Sequence, residues 1–213
     1  MKRYVLLASV VTVVLVINGC TNSKQINETI TSKSTVSSEN IKIQENDLDK
    51  DSKEEIKNLE ASFQENSELK KPDIEEARDF EASLKNGSVL MISRPNTKEQ
   101  EVYNIGSLDK FLESFNNGER SYVRVIKGTI EKDGRFLVNK LEEYESDGKL
   151  IKDLVYDTYA DKNKFVPGKP RYSPKMAKTF SDDAIRYAIL ESKDTPDNMG
   201  ATIISFDKNS IKN

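Results

Sequence analysis

Histidine and tryptophan are absent from this 213-residue chain, and cysteine occurs only once, at Cys20. Without histidine there is no imidazole base near neutral pH, which excludes Ser-His-Asp and Cys-His catalysis and histidine-rich zinc sites. A disulfide needs two thiols, so none can form within one chain. The fold must therefore be held together by packing and hydrogen bonds, and most hydrolase mechanisms are disfavoured.

Motifs that hold phosphates or metals are also missing. The chain contains neither G-x-x-x-x-G-K-[ST] nor G-x-G-x-x-G. Asp47, Asp49 and Asp51 imitate the first ligands of a calcium-binding loop. However, Ser52 stands where that loop needs glycine, and Asn58 stands where it needs a bidentate glutamate. We therefore expect no cofactor and no metal.

Neither sign of charge dominates, since 33 Lys and Arg stand against 36 Asp and Glu, a formal net charge of −3. This balance argues against a general attraction to nucleic acid, and we expect no nucleic-acid partner. Hydrophobic residues make up 36% of the chain. That content is enough for the modest core of one domain, with a polar segment beside it.

The start of the chain has the pattern of a secretory signal. Lys2 and Arg3 precede a run from Tyr4 to Ile17 that is apolar except for Ser9 and Thr12, and Gly19 and Cys20 follow closely. An apolar run of about 14 residues after a positive start is typical of such signals. It is shorter than the roughly 20 residues that a membrane-spanning helix needs.

The end of this run resembles the lipobox of bacterial lipoproteins, whose four positions would be taken by Ile17, Asn18, Gly19 and Cys20. The resemblance implies that the signal, residues 1–20, is cut before Cys20 and that the Cys20 thiol is lipidated, with palmitate as a typical chain. It also implies a cell-membrane protein on the extracytoplasmic face, with membrane lipid as its first partner through Cys20. Two or three acyl chains anchor a protein firmly, whereas one binds reversibly.

Residues 21–71 are predicted to be a flexible, disordered hydrophilic linker, because apolar residues are too sparse there to offset the cost of ordering the backbone. Ile56, Leu59 and Phe63 have helical spacing, which predicts a transient helix within this linker. Residues 72–213 are predicted to form one small α+β domain. Its expected architecture is an antiparallel β-sheet packed with one or two short helices.

Two short helices are predicted within the domain. The first begins at Pro72, and the second is capped by Ser107 and ends at Asn116-Asn117-Gly118. Their apolar faces consist of Ile74, Ala77, Phe80 and Leu84, and of Leu108, Phe111, Leu112 and Phe115.

A meander follows, because Asp-Gly pairs separate three strand-like runs and supply the positive φ angles of tight hairpin turns. The predicted strands are Val89 to Ser93, Glu101 to Ile105, Tyr122 to Glu131, Arg135 to Tyr144, Leu150 to Tyr159, Ala177 to Phe180 and Ala201 to Phe206. Ala184 to Glu191 fits a strand and a helix about equally well, and both alternatives stay open.

The alternation of side chains predicts one buried face of the meander. Phe136 and Val138 are expected to join Val123 and Val125 against the second helix. The charged residues Arg124, Lys140 and Glu142 are expected to stay in water.

From Glu81 to Phe206, the order of these elements resembles a small domain of unknown function found in lipoproteins of low-GC Gram-positive bacteria. The similar strings are Lys85-Asn86-Gly87-Ser88-Val89, Leu108-Asp109-Lys110-Phe111, Asp147-Gly148-Lys149, Tyr156-Asp157-Thr158 and Asp161-Lys162. The resemblance implies the lipid anchor and the α+β architecture. It implies no activity, because that domain has none assigned.

A basic, proline-rich stretch is the candidate ligand site. Asp161 to Pro174 is predicted to be a surface loop, with basic side chains that could bind an anionic wall polymer, a lipid head group or an acidic protein. The candidate residues are Tyr156, Asp157, Tyr159, Lys169, Arg171 and Tyr172. The Tyr172 ring could stack on a sugar. The alternative is that these lysines only solvate the loop.

The leading functional hypothesis is a non-enzymatic binding module of the cell envelope, whose partner is an envelope protein or a wall polymer. The alternative is an envelope hydrolase that uses carboxylates or a Ser-Lys pair. Ser107 and Lys110 have the spacing of such a pair, but the serine fits a helix cap better. A substrate-capture protein for a transporter is a third hypothesis, although the domain is small for two-lobed closure.

Overall fold

The computed structural model describes residues 57–161 and 163–212. The predicted signal with Cys20, and the predicted linker as far as residue 56, lie outside the described residues. The fold class is α+β, as the sequence predicts. Among the described residues, no helix has both the length and the apolar character needed to cross a bilayer.

The larger sheet has seven strands, which are β1 (Val89–Ser93), β2 (Gln100–Tyr103), β3 (Ser121–Ile130), β4 (Phe136–Ser146), β5 (Ile151–Asp157), β6 (Val166–Pro167) and β7 (Arg171–Ser173). Their order is β2-β1-β3-β4-β5-β6, and β7 also pairs with β5. All these pairs are antiparallel except β1 with β3. Gly134 and Gly148 have φ angles of 85° and 89°, so the Asp-Gly turns of the predicted meander are confirmed.

A second, three-stranded antiparallel sheet has the order β10-β9-β8. Its strands are β8 (Lys175–Phe180), β9 (Ala184–Leu190) and β10 (Ala201–Asp207). The ambiguous segment 184–191 is therefore a strand. Alternation explains this outcome, because Ile185, Tyr187 and Ile189 all reach the same core cluster.

The first predicted helix is divided in two. A 3-10 helix covers Ile74–Arg78 and helix α1 covers Phe80–Lys85. Asp79 interrupts them with an extended backbone at φ −106° and ψ 120°, and its carboxylate accepts the N–H of Ala82. Asp79 therefore ends one helix and caps the next.

Helix α2 covers Gly106–Asn116 and buries Leu108, Phe111 and Phe115 as predicted. The prediction that Ser107 caps this helix is wrong, because the cap position is Ile105 and no side chain fills it. Instead, the Ser107 hydroxyl donates to the carbonyl of Gly87 at 2.9 Å. Ser107 thus joins α2 to the turn after α1.

The larger sheet has a core on each face. One face packs against α2 and the second sheet, and its buried members include Val89, Val123, Val125, Tyr144, Ile151, Met176, Tyr187 and Phe206. The opposite face lies under the 3-10 helix and α1, and its buried members are Ala77, Leu90, Ile92, Ile126, Leu141 and Phe165. The sheet is therefore the central layer of the domain.

The prediction for the buried face of the meander is correct for β3 and wrong for β4. Val123 and Val125 do contact the cluster of α2, but Phe136 and Val138 pack on the opposite face of the sheet. The pairing of β3 with β4 shifts register between Lys127 and Gly128. Such a bulge turns the following side chains to the other face, which explains the reversal.

Candidate functional site

The six residues predicted as a ligand site do not converge. The Tyr156 hydroxyl donates to Glu143 Oε2 at 2.8 Å on one face of the sheet. The Asp157 carboxylate accepts the N–H groups of Tyr159 and Ala160 at 2.8 and 2.9 Å, which closes a local turn. Tyr159 is exposed at that turn. These residues stabilise the end of β5 and do not line a common pocket.

The basic loop is also differently built from the prediction. It contains the short strands β6 and β7, so Arg171 and Tyr172 point to opposite faces. Arg171 Nε donates to Asp153 Oδ2 at 2.9 Å. The Tyr172 ring packs on Phe63, with ring centroids 5.5 Å apart. Lys169 is exposed between the two strands.

A buried polar network lies on the face that carries Tyr156. Arg124 donates through Nη1 to the Asp73 carbonyl at 2.9 Å and through Nη2 to the Pro72 carbonyl at 2.7 Å. The hydroxyl of Tyr122 donates to Glu143. Burial and then the charge of Glu143 raise the pKa of Tyr122, and burial raises that of Tyr156, so both phenols stay neutral donors.

The expectation that Arg124 and Glu142 stay in water is therefore wrong, since each is only 2% exposed. Arg124 is buried because Pro72 and Asp73 lie over it, and their backbone carbonyls accept hydrogen bonds from its guanidinium. Glu142 is covered because Lys140 Nζ, at 2.7 Å, and Lys127 Nζ, at 3.8 Å, both lie over it. A charged side chain can be buried when such partners are present.

A groove of about 500 Å³ opens beside the Arg124 network. Five parts of the chain form it: residues 70–72, the 3-10 helix, the turn after α1, the start of α2 and the start of β3. The residues that line this groove are Lys70, Lys71, Pro72, Glu76, Asn86, Gly87, Ser88, Ser107, Tyr122, Val123 and Arg124.

One wall of the groove is fixed by its own hydrogen bonds. The Ser88 hydroxyl donates to Asn86 Oδ1 at 2.7 Å, and Asn86 Nδ2 donates to Glu76 Oε2 at 3.0 Å. Gly87 has a φ of 82°, a value that suits glycine, and its carbonyl accepts the Ser107 hydroxyl. The oxygens of both serines keep lone pairs with which they can accept a bond from a ligand.

The other wall carries positive charge. Lys70 and Lys71 stand there, and the Arg124 guanidinium lies at the base. Lys71 Nζ is 2.5 Å from Glu145 Oε2. Glu76 is the single carboxylate among the lining residues, against three basic side chains. Arg124 is likewise paired with Glu143, so Lys70 is the basic lining residue to which the structure gives no ion pair with a described residue. Its charge favours a ligand that carries negative charge.

A pair of buried carboxylates lies on the opposite face of the sheet. Glu142 and Asp153 are diagonal neighbours on β4 and β5, and Asp153 is fully buried. One oxygen of each, Oε2 and Oδ1, has no hydrogen-bond partner among the described residues. Burial raises the pKa of Asp153 and lowers that of Lys127.

This carboxylate pair is the feature closest to the hydrolase hypothesis. Neither carboxylate lines the groove. A second cavity, of about 460 Å³, does not include them either, since it is lined by Leu84, Tyr103, Asn104, Ile105, Gly106, Ile211 and Lys212. Residues 57–161 and 163–212 also contain no group of three or more metal-ligating side chains. Neither of these two cavities therefore gives a substrate access to the pair.

Sequence reasoning missed the groove because its parts are far apart along the chain. The string Asn86-Gly87-Ser88 predicts only the end of a helix, although its side chains form the fixed wall. Lys70 and Lys71 fall within the predicted linker. No local pattern indicates that these two segments meet.

A scan of protein-family models found no match to this chain, and neither did searches of curated proteins and of solved structures. The function of the groove must therefore be argued from its own residues.

Proposed function

We propose that the protein is a lipid-anchored, extracytoplasmic binding module of the cell envelope and that it is not an enzyme. Cys20 carries the lipid, the polar segment after it is the linker, and the α+β domain offers the groove to an envelope protein or a wall polymer. The observation that carries the binding role is an open groove whose charged lining consists of one carboxylate and three basic side chains.

The contacts inside the groove support binding over catalysis. Ser88 and Ser107 donate their hydroxyl protons to Asn86 and to the Gly87 carbonyl, so neither is hydrogen-bonded to a lysine as a Ser-Lys nucleophile requires. Lys71 lies in an ion pair with Glu145. The groove thus offers groups that recognise a ligand without an activated nucleophile.

Fractionation of cells tests the anchor. Wild type is expected in the membrane fraction, with a mass that shows a cleaved signal and an acylated Cys20. Cys20→Ala is expected to leave that fraction or to keep its signal, because no other cysteine can take the lipid. Thr21→Ala, which keeps the cysteine, is the control. A wild-type mass that shows an unmodified Cys20 thiol would contradict the anchor.

Capture from detergent-solubilised envelope extracts tests the binding role, with Cys20→Ala chains as bait. Lys70→Glu places a negative charge in the groove and is expected to lose the partner. Lys110→Glu makes the same change on an exposed face of α2 and is expected to keep it. A Lys169→Ser, Arg171→Ser variant tests the basic loop in parallel. If Lys70→Glu and Lys110→Glu capture the same material, the groove is not the binding site.

A further inference from the structure

One wall of the groove is supplied by the segment that the sequence assigns to the linker. We call the described part of that segment, residues 57–71, the strap. Residues 57–62 of the strap are helical, and the remainder lies along the larger sheet. Lys70 and Lys71 are the last residues of the strap and face the fixed wall of the groove. The groove is therefore complete only while the strap is docked.

The strap is held by a few contacts at the surface. Phe63 packs on Tyr172, and the Lys152 ammonium lies 5.7 Å from the Phe63 ring centroid. The backbone N–H of Gln64 donates to Asp147 Oδ2 at 3.0 Å, and that of Asn66 to Glu145 Oε1 at 3.4 Å. The ion pairs are Glu65 with Lys152 and Lys71 with Glu145.

These contacts are weaker than those of the segment that follows. Glu65 is 73% exposed, and an ion pair so open to water contributes little. No pairing of the strap with a strand occurs in the part of the chain that the structure describes. By contrast, the carbonyls of Pro72 and Asp73 are bound by the buried Arg124. Release of the strap is therefore expected to stop at Pro72.

We propose that the docked strap completes a binding site for an oxyanion such as a phosphate group, so that ligand binding and strap docking favour each other. This inference rests on the proposed binding function. The ammonium groups of Lys70 and Lys71 on the strap face Asn86 on the fixed wall, and the Asn86 amide has a second N–H besides the one that it donates to Glu76. An oxyanion can therefore accept N–H groups from both walls. The phosphate source is either a wall polymer or a lipid head group.

Ligand binding and strap docking are coupled because the ligand contacts both walls of the groove. A ligand that binds only the complete groove shifts the strap toward its docked position, and docking raises ligand affinity by the same factor. Docking also takes residues 57–71 out of the connection between Cys20 and the domain. The maximum reach of that connection then falls by about 50 Å, at 3.3–3.6 Å per residue. Binding would thus draw the domain toward the membrane.

The docking of the strap can be measured without a ligand. Phe63→Trp in the Cys20→Ala chain creates the only tryptophan, since the chain has none. Glu65→Lys opposes Lys152 and is expected to raise quenching of the tryptophan fluorescence by acrylamide at least twofold. Glu60→Lys makes the same charge change on the strap, where the structure gives its side chain no ion pair with a described residue. It is expected to leave quenching unchanged.

Ligand binding is then measured with the Cys20→Ala chain against three probes: inorganic phosphate, soluble poly(glycerol phosphate) and vesicles containing phosphatidylglycerol. Glu65→Lys is expected to weaken binding at least fivefold, and Glu60→Lys less than twofold. Both changes add positive charge. If electrostatic attraction alone controlled binding, Glu65→Lys would therefore bind the phosphate probes more tightly. In the Phe63→Trp chain, bound probe is also expected to protect the introduced indole from quenching. The polymer and vesicle arms distinguish the two sources of phosphate.

The outcomes separate this inference from the proposed function. If no phosphate probe binds, the oxyanion assignment is overturned. The binding role is tested independently by capture from envelope extracts. If Glu65→Lys and Glu60→Lys bind alike or are quenched alike, the coupling is overturned and binding stands. Loss of both affinity and protection in Glu65→Lys alone supports the inference.

Discussion

Nη2 of Arg124 lies 2.9 Å from Oε1 of Glu143, and the arginine side chain is only 1% exposed. This pair fixes the point at which the strap joins the domain, because the same guanidinium donates to the carbonyls of Pro72 and Asp73. Arg124→Met removes the charge at similar length. It leaves the largely buried Glu143 carboxylate without its positive partner and the carbonyls of Pro72 and Asp73 without their donor. We expect urea unfolding to show a loss of about 3–5 kcal/mol.

The matched control for this change is Arg94→Met. Arg94 Nη2 also lies 2.9 Å from a carboxylate oxygen, that of Glu101, but the Arg94 side chain is 43% exposed. An exposed pair contributes at most about 1 kcal/mol. Equal losses in the two variants would show that the buried network does not stabilise the domain.

The two Asp-Gly turns predict different costs for the same substitution. Gly134 and Gly148 both have positive φ, but a Cβ at Gly134 meets no atom of the described residues within 4 Å. A Cβ at Gly148 would lie 2.1 Å from the carbonyl oxygen of Gly118. Gly134→Ala is therefore expected to lose about 1–2 kcal/mol from the backbone alone. Gly148→Ala is expected to lose about 2 kcal/mol more, because two backbone segments must separate. Urea unfolding of both variants measures the difference, and equal losses would contradict the close approach.

The buried Asp153 makes stability depend on pH in a direction opposite to most carboxylates. Its pKa is raised by burial, despite the nearby Arg171. A carboxyl group with a raised pKa in the folded state contributes stability that is present below its ordinary pKa and is lost as pH rises through the folded pKa. The unfolding free energy of wild type minus that of Asp153→Asn should therefore fall from about pH 4 upward.

Glu101→Gln serves as a control of opposite sign. The hydrogen bond from Arg94 lowers the pKa of Glu101, so its contribution is present above the ordinary pKa and is lost as pH falls. The difference between wild type and Glu101→Gln should therefore grow with pH. A flat difference for Asp153→Asn would show that the buried carboxyl does not titrate in this range.

Local patterns in the sequence predict the elements of this fold well. The Asp147-Gly148 turn and the apolar face of α2 need only neighbouring residues, and both are found as predicted. Phe136 faces the wrong way in the prediction because the bulge near Gly128 depends on pairing with another strand. Pro167 favours a loop, yet it lies in the edge strand β6, where a missing N–H is tolerated.

Nonlocal contacts explain what the sequence did not reveal about the site. Arg124 is predicted to be solvated because it is charged, and its burial depends on carbonyls some fifty residues earlier in the chain. Arg171 is predicted to bind a ligand, but Asp153 on the paired strand takes its guanidinium. The groove combines such distant segments, so its residue types give no local pattern.

The contact between α2 and the second sheet is the last feature with a sharp prediction. Asp109 Oδ1 accepts the Tyr187 hydroxyl at 2.7 Å and the Lys178 ammonium at 2.6 Å. Tyr187 is fully buried, so Tyr187→Phe removes one bond to a charged acceptor without changing the packing. We expect a loss of about 1–2 kcal/mol in urea unfolding. Tyr159→Phe, at a side chain 77% exposed, should change stability by less than about 0.5 kcal/mol. Equal effects would show that Asp109 does not join the two layers through Tyr187.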